Sequence, residues 1–245
     1  MKRWVYTPSP LLAKSVEERL TAFPREPDIA VYGLRFIGVL IERVVLGTYF
    51  RLRIIGREKI PSQGPYILIA NHSSHLDAAV LSVVLRPSQW YHAYAVAAQD
   101  YFFRDFFRAL VAVAFTNAMP FDRKSDPKKS LELCADILQV SKEAIILFPE
   151  GTRSPDGSIQ RFKPGVGKLV AGTDTPVIPA YIHGAHEAWP KGHLMPRPRR
   201  VTLIMGDPRR YKGTPSTREG SIAVADDLRK AVVNLRESYK NGIGG

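Results

Sequence analysis

The feature that most constrains this chain is a rhythm of short apolar runs, each closed by a polar turn and followed by a helical pattern. Tyr66-Ile-Leu-Ile-Ala70 is the clearest, entered through Pro61 and the Gly64-Pro65 pair and closed by Asn71. An apolar run of this length between turn formers reads as a buried strand. Residues 93–98, 144–148, 177–182 and 201–205 repeat the pattern. Helical spacing is predicted between them at 76–85, 104–117, 127–141 and 165–171, with a last helix over 222–240. Strands alternating with helices imply an α/β fold, a layered and largely parallel sheet flanked by helices. The sequence shows no internal repeat and no low-complexity block.

The first thirty residues carry four prolines and mixed charge, so they read as an irregular arm with one short helix at 12–22. Lys2 and Arg3 resemble the start of a signal peptide, but no apolar run follows them. Residues 32–48 are helical in period, and 33–50 is the best spanning candidate. Arg35, Glu42 and Arg43 interrupt it, and a charge at the centre of a spanning helix costs about 2.5 to 3.5 kcal/mol. Two readings stay open, a helix lying on a membrane surface and a helix packed on the protein's own core. The expected organisation is an arm with an N-terminal helical membrane-associating segment over 1–50 and an α/β domain over 51–245. Lys plus Arg exceed Asp plus Glu by 35 to 23, a net charge of +12. That excess calls for an anionic partner: nucleic acid, membrane lipid or a phosphorylated substrate. With 24% charged and 45% hydrophobic residues, a disordered tail and a collagen-like fibre are excluded. The single Cys134 rules out an internal disulfide and suits a reducing compartment.

Chemistry concentrates where the strand at 66–70 ends, in Asn71-His72-Ser73-Ser74-His75-Leu76-Asp77. A polar turn between strand and helix puts side chains at the carboxyl edge of the sheet, where α/β folds build sites. If Asp77 lies in the first helical turn, its carboxylate can fold back on the His72 imidazole and leave the other ring nitrogen free to accept a proton. The alternative on spacing alone is that Ser74 or Asp77 merely caps the helix. A second strand-end turn is Phe148-Pro149-Glu150-Gly151-Thr152-Arg153-Ser154. There Gly151 permits a tight turn that exposes amide donors, and Arg153 adds a planar fork suited to phosphate oxygens.

With these two blocks, Phe121-Asp122-Arg123, Phe162-Lys163-Pro164-Gly165 and Val177-Ile178-Pro179 in order, the sequence resembles the glycerolipid acyltransferase family typified by bacterial 1-acylglycerol-3-phosphate acyltransferases. The resemblance covers roughly residues 55–208. It implies an acyltransferase domain that moves a fatty acyl group from acyl-CoA or an acyl carrier protein to the hydroxyl of a lysophospholipid, 1-acylglycerol-3-phosphate first among them, giving phosphatidic acid. Carried over by residue, His72 would be the general base and Asp77 its orienting partner. Asn71, Arg123, Glu150, Gly151, Thr152, Arg153 and Lys163 would bind substrate. No cofactor is implied, since the thioester is already activated. The implied partner is a membrane lipid surface, with the protein peripheral or monotopic on the cytoplasmic face. The stretch 115–123 lacks the glycine that the family's second block carries, so another lyso-lipid acceptor is the alternative.

Other signals are weaker. The aromatic cluster Tyr101, Phe102, Phe103, Phe106, Phe107 and Phe115 could shelter an acyl chain, dip into lipid or pack in a core. The basic run Lys191, Arg197, Arg199, Arg200, Arg209, Arg210 and Lys212 suits an anionic bilayer or a solvated face. His183, His186 and Glu187 lack the Cys partners or His-Glu-x-x-His helix of a zinc site, and no metal is expected. A serine hydrolase using Ser73 or Ser74 would lack its Gly-x-Ser-x-Gly elbow. A nucleic-acid-binding module would lack a helix-turn-helix, zinc-finger or RNP signature, and no nucleic acid is expected as a partner.

Overall fold

The computed structural model describes residues 28–242 together with Ser15, Glu18, Phe23 and Arg25. The short helix expected at 12–22 falls almost wholly outside the described residues. The elements run α1 (Ile29–Thr48), β1 (Arg53–Ile55), β2 (Tyr66–Ala70), α2 (Asp77–Val83), β3 (Ala93–Ala98), α3 (Gln99–Phe102), α4 (Phe106–Thr116) and β4 (Met119–Phe121). They continue α5 (Pro127–Gln139), β5 (Ala144–Leu147), α6 (Gly165–Val170), β6 (Val177–His183), α7 (Ala185–Ala188), β7 (Thr202–Met205) and α8 (Arg218–Lys240). Seven strands form one sheet in the order β1-β7-β6-β2-β5-β3-β4. Every neighbouring pair is parallel except β6 with β7. The mostly parallel α/β layering read from the sequence is present.

β2 lies at the centre and is buried along its whole length. Its period of two sends Leu68 and Ala70 into one core, with Val39 and Leu46 of α1 and Val80 and Leu81 of α2. Ile67 and Ile69 face the other core, with Leu138 of α5, Leu169 of α6 and Leu228 of α8. A strand covered on both faces reads as a continuous apolar run, which is why β2 stands out in the sequence.

Two strands escaped the sequence reading. β1 and β4 have three residues each, too few to show a period. β4 contains Pro120, tolerated because this edge strand pairs only with β3. Helix starts follow caps rather than apolar residues. The Thr217 side chain accepts from the Gly220 N–H, so α8 begins at Arg218, ahead of the expected 222. The Asp105 carboxylate accepts from the Arg108 N–H and starts α4 at Phe106.

α1 is inside out. Arg35, only 1% exposed, donates from Nε and Nη2 to the Trp90 carbonyl at 3.1 and 2.8 Å and from Nη1 to that of Val113 at 3.0 Å. Glu42 is buried as well, neither carboxylate oxygen has a hydrogen-bond partner, and burial pushes its carboxyl well above the usual range. Ile37, Leu40, Ile41 and Val44 are exposed on the opposite face. The reading of a helix packed on the protein's own core holds for the face with Val31, Arg35, Val39, Glu42 and Leu46, while the opposite face is apolar and bare. Close approach to α4 depends on Gly38, where a Cβ would collide with the Ala114 carbonyl. No helix among the described residues is long and apolar enough to cross a membrane.

A second close approach seats α6 on α8. A side chain at Gly167 would strike the Ser221 backbone. Gly167→Val is expected to cost about 3 kcal/mol of stability, read as a lower urea midpoint at unchanged slope.

Candidate active site

The turn after β2 is tied down from both sides. The Asn71 amide donates to the Ile182 carbonyl at 3.1 Å and accepts the Ile182 N–H at 2.8 Å, which fastens the turn to the end of β6. Asn71 is buried, so this residue, expected to touch substrate, has its amide occupied by backbone. Beside it the His72 N–H donates to Glu150 Oε1 at 3.0 Å, and the His72 carbonyl accepts the Ser154 N–H at 2.7 Å. The two strand-end turns that stand out in the sequence thus meet at one residue.

Asp77 is the first residue of α2 and is fully buried. Its Oδ2 accepts from the N–H groups of Ser73 and Ser74 at 2.7 and 2.8 Å and lies 2.9 Å from His72 Nδ1. Capping and orienting were posed as alternatives for this carboxylate; one oxygen makes both sets of contacts. A carboxylate at Nδ1 makes that nitrogen the donor and leaves the Nε2 lone pair outward. The imidazole stacks on Phe148 with centroids 4.2 Å apart, and its side chain is 21% exposed. The ring is thus held on two sides and open on one.

The cationic residues gather around the second turn. Gly151 takes φ +73°, and a Cβ there would lie 2.7 Å from Lys163 Nζ, so glycine lets the lysine fold over the turn. Arg123 Nη1 approaches the Gly151 carbonyl at 3.4 Å, while Nη2 pairs with Asp100 at 3.2 Å. Arg153 Nη1 lies 2.6 Å from the His75 ring nitrogens, and its guanidinium sits 6.0 Å from the Tyr101 centroid. Burial first, then Arg153, lowers the His75 pKa, consistent with a neutral ring accepting from the arginine. Thr152 is exposed on the turn.

Sequence reasoning missed two neighbours, Trp189 and Asp100, and did not place Tyr101 beside Arg153 or Phe148 against the His72 ring. The Trp189 carbonyl accepts from Ser74 Oγ at 2.8 Å and from the His75 N–H at 3.2 Å. Asp100, Tyr101 and Phe148 complete the surroundings. The available signal was position, since Asp100 and Phe148 follow the ends of β3 and β5 at the same sheet edge. No serine hydroxyl among the described residues hydrogen-bonds His72. No group of three or more His, Cys, Asp and Glu among them could hold a metal ion. Cys134 is buried in the core.

Glu150 is buried behind the turn with Oε2 unpartnered. Burial raises its carboxyl from the usual 4.5 to about 7, opposed by the His72 N–H. Because the folded value lies above the unfolded one, folding favours the protonated form. That stabilisation is complete below pH 4.5 and is lost as pH rises through about 7. Glu150→Gln keeps an acceptor for the His72 N–H and cannot ionise. It is expected to flatten the stability profile across this window, measured by urea midpoints at successive pH values.

Comparison with known proteins agrees with this architecture. Over 203 residues the chain is 28% identical to the 1-acyl-sn-glycerol-3-phosphate acyltransferase of Pseudomonas aeruginosa, covering 82% of this chain and 72% of that protein. Over 188 residues it is 27% identical to the enzyme of that name from Chlamydomonas reinhardtii, covering 76% of this chain but only 53% of the algal protein. The crystal structure of the 1-acyl-sn-glycerophosphate acyltransferase from Thermotoga maritima superposes with a TM-score of 0.64 at 22% identity, covering 84% of this chain and 78% of that one, a likeness of fold. The family model described as Acyltransferase matches residues 51–183, from β1 through both turns to the end of β6. Since that match takes in more than half of its 245 residues, the chain belongs to the acyltransferase family.

Proposed function

We propose that the chain transfers a fatty acyl group from acyl-CoA or acyl carrier protein to the hydroxyl of a lysophospholipid, 1-acylglycerol-3-phosphate first among them, giving phosphatidic acid. The observation that carries this is the 2.9 Å contact of His72 Nδ1 with buried Asp77, with Nε2 left open at the sheet edge. In this reading Nε2 takes the proton of the acceptor hydroxyl as its oxygen attacks the thioester carbonyl. The tetrahedral intermediate collapses, the C–S bond breaks, and the leaving thiolate takes the proton back from the imidazolium. Buried Asp77 stabilises that transient cation. General-base help of this kind is worth about 10² to 10⁴ in rate.

Arg123, Lys163 and the 150–152 turn would hold the acceptor phosphate, with Arg153 at their side. Asp100 balances part of the Arg123 charge. The names of the relatives support phosphatidic acid as product. A different lyso-lipid acceptor is the second reading, favoured by the glycine-free stretch leading into β4. The donor needs no cofactor, because the thioester supplies the activation. A peripheral seat on the cytoplasmic face is proposed from the bare apolar side of α1 and the exposed Phe106 and Phe107 of α4.

The test incubates the protein with a labelled acyl thioester and a panel of lyso-lipids. One thiol released per acyl group found in phosphatidic acid is the expected result. Free fatty acid without acylated lipid would mean a hydrolase, and a thioester left intact with every acceptor would end the proposal.

A further inference from the structure

We propose that the loop over residues 190–200 is a second membrane contact, which sets its Leu194–Met195 tip into the headgroup layer of an anionic bilayer and turns the His72 edge toward the lipid. The inference rests on the membrane-surface reading above and adds a separate anchor and an orientation to it.

This loop leads from the end of β6 toward β7, and β6 is the parallel neighbour of β2. It therefore leaves the sheet at the edge that carries His72. Leu194 is 92% and Met195 77% exposed. Around them stand Lys191, His193, Arg197, Arg199 and Arg200, with no acidic residue between Glu187 and Asp207. Arg209 and Arg210, farther along the same basic run, are neutralised by Asp227 and Asp174. Lys191, Arg197, Arg199 and Arg200 make no ion pair among the described residues.

The tip is presented by a built frame. Trp189 Nε1 donates to the His193 carbonyl at 2.8 Å, and the Arg197 N–H donates to that of Ala188 at 2.8 Å. Tyr49 Oη, just past α1, donates to the Pro196 carbonyl at 3.1 Å and joins the loop to the helix whose outer face is apolar. A large apolar pair ringed by unpaired cations suits a layer with acyl chains below and lipid phosphates above. Nucleic acid would match the charge but leave the apolar tip in water.

Cys134 is 1% exposed, so Leu194→Cys can be labelled selectively with a polarity-sensitive dye, and Leu40→Cys reports on α1 in parallel. With phosphatidylglycerol vesicles the dye at 194 is expected to shift to the blue and to be quenched by brominated acyl chains. Arg197→Glu with Arg199→Glu is expected to weaken partitioning into those vesicles by more than about tenfold, with little change for phosphatidylcholine. A response at 40 without one at 194 overturns the loop contact and leaves the membrane reading standing; silence at both overturns both. A shift that grows with protein concentration in the absence of lipid would mean that a second copy covers the tip. The same shift on duplex DNA would mean nucleic acid does, and either result overturns the proposal.

Discussion

His72→Ala is expected to lower acyl transfer by about 10² to 10⁴-fold, to the background in most assays, while the fold survives. The backbone bonds that knit the two turns together, from the His72 N–H to Glu150 and from the Ser154 N–H to the His72 carbonyl, do not involve the ring. Asp77 keeps the two N–H donors of Ser73 and Ser74. The variant loses the stack on Phe148, a modest packing change at a partly exposed position. Circular dichroism and the thermal midpoint should therefore stay near those of the parent while thiol release falls. Turnover close to the parent's would remove His72 from the chemistry and with it the proposed mechanism.

Asp77→Asn should be nearly as severe, for a different reason. The asparagine oxygen can still accept the Ser73 and Ser74 N–H groups, so the cap of α2 is retained. Because Oδ2 makes all three contacts, that oxygen also keeps accepting from His72 Nδ1, and the amide nitrogen takes the place of the unpartnered Oδ1; what is lost is the negative charge beside the ring. Proton uptake at Nε2 would then build a cation with no carboxylate to stabilise it. The expected loss lies within the factor of about 10² to 10⁴ that general-base help supplies. KM for the thioester should hardly move, since Asp77 is buried and reaches substrate only through His72. Asp77→Ala separates the roles: it also strands two N–H donors, at about 1 to 3 kcal/mol each, so stability falls along with activity. An Asp77→Asn enzyme with high kcat would show that the carboxylate serves only the cap.

How much of this was legible beforehand varies by element. β2 and β3 were read to the residue, because five or six consecutive apolar residues stand out against the polar segments around them. β1 and β4 were not, since three residues carry no period and become strands only where β7 and β3 offer an edge. At the site, the spacing from His72 to Asp77 survives as a hydrogen bond because both lie in one turn. Arg153 is a different case. Its fork stood in the sequence as a free phosphate ligand, yet it rests against His75, far away in the chain.

α1 draws the same boundary most sharply. Local order of residues was enough to announce a helix there, a strand-turn-helix unit at His72 and a layered parallel sheet, since periodicity and turn chemistry act over a few neighbours. Which face of that helix would be wet could not be foreseen, because Arg35 and Glu42 look like solvent markers until Trp90 and Val113 arrive from distant segments to receive the guanidinium. The same holds for the direction of β7 and for the pairing of Arg123 with Asp100. Those outcomes come from contacts between residues far apart in the chain, whose energies exist only once the sheet has brought them together.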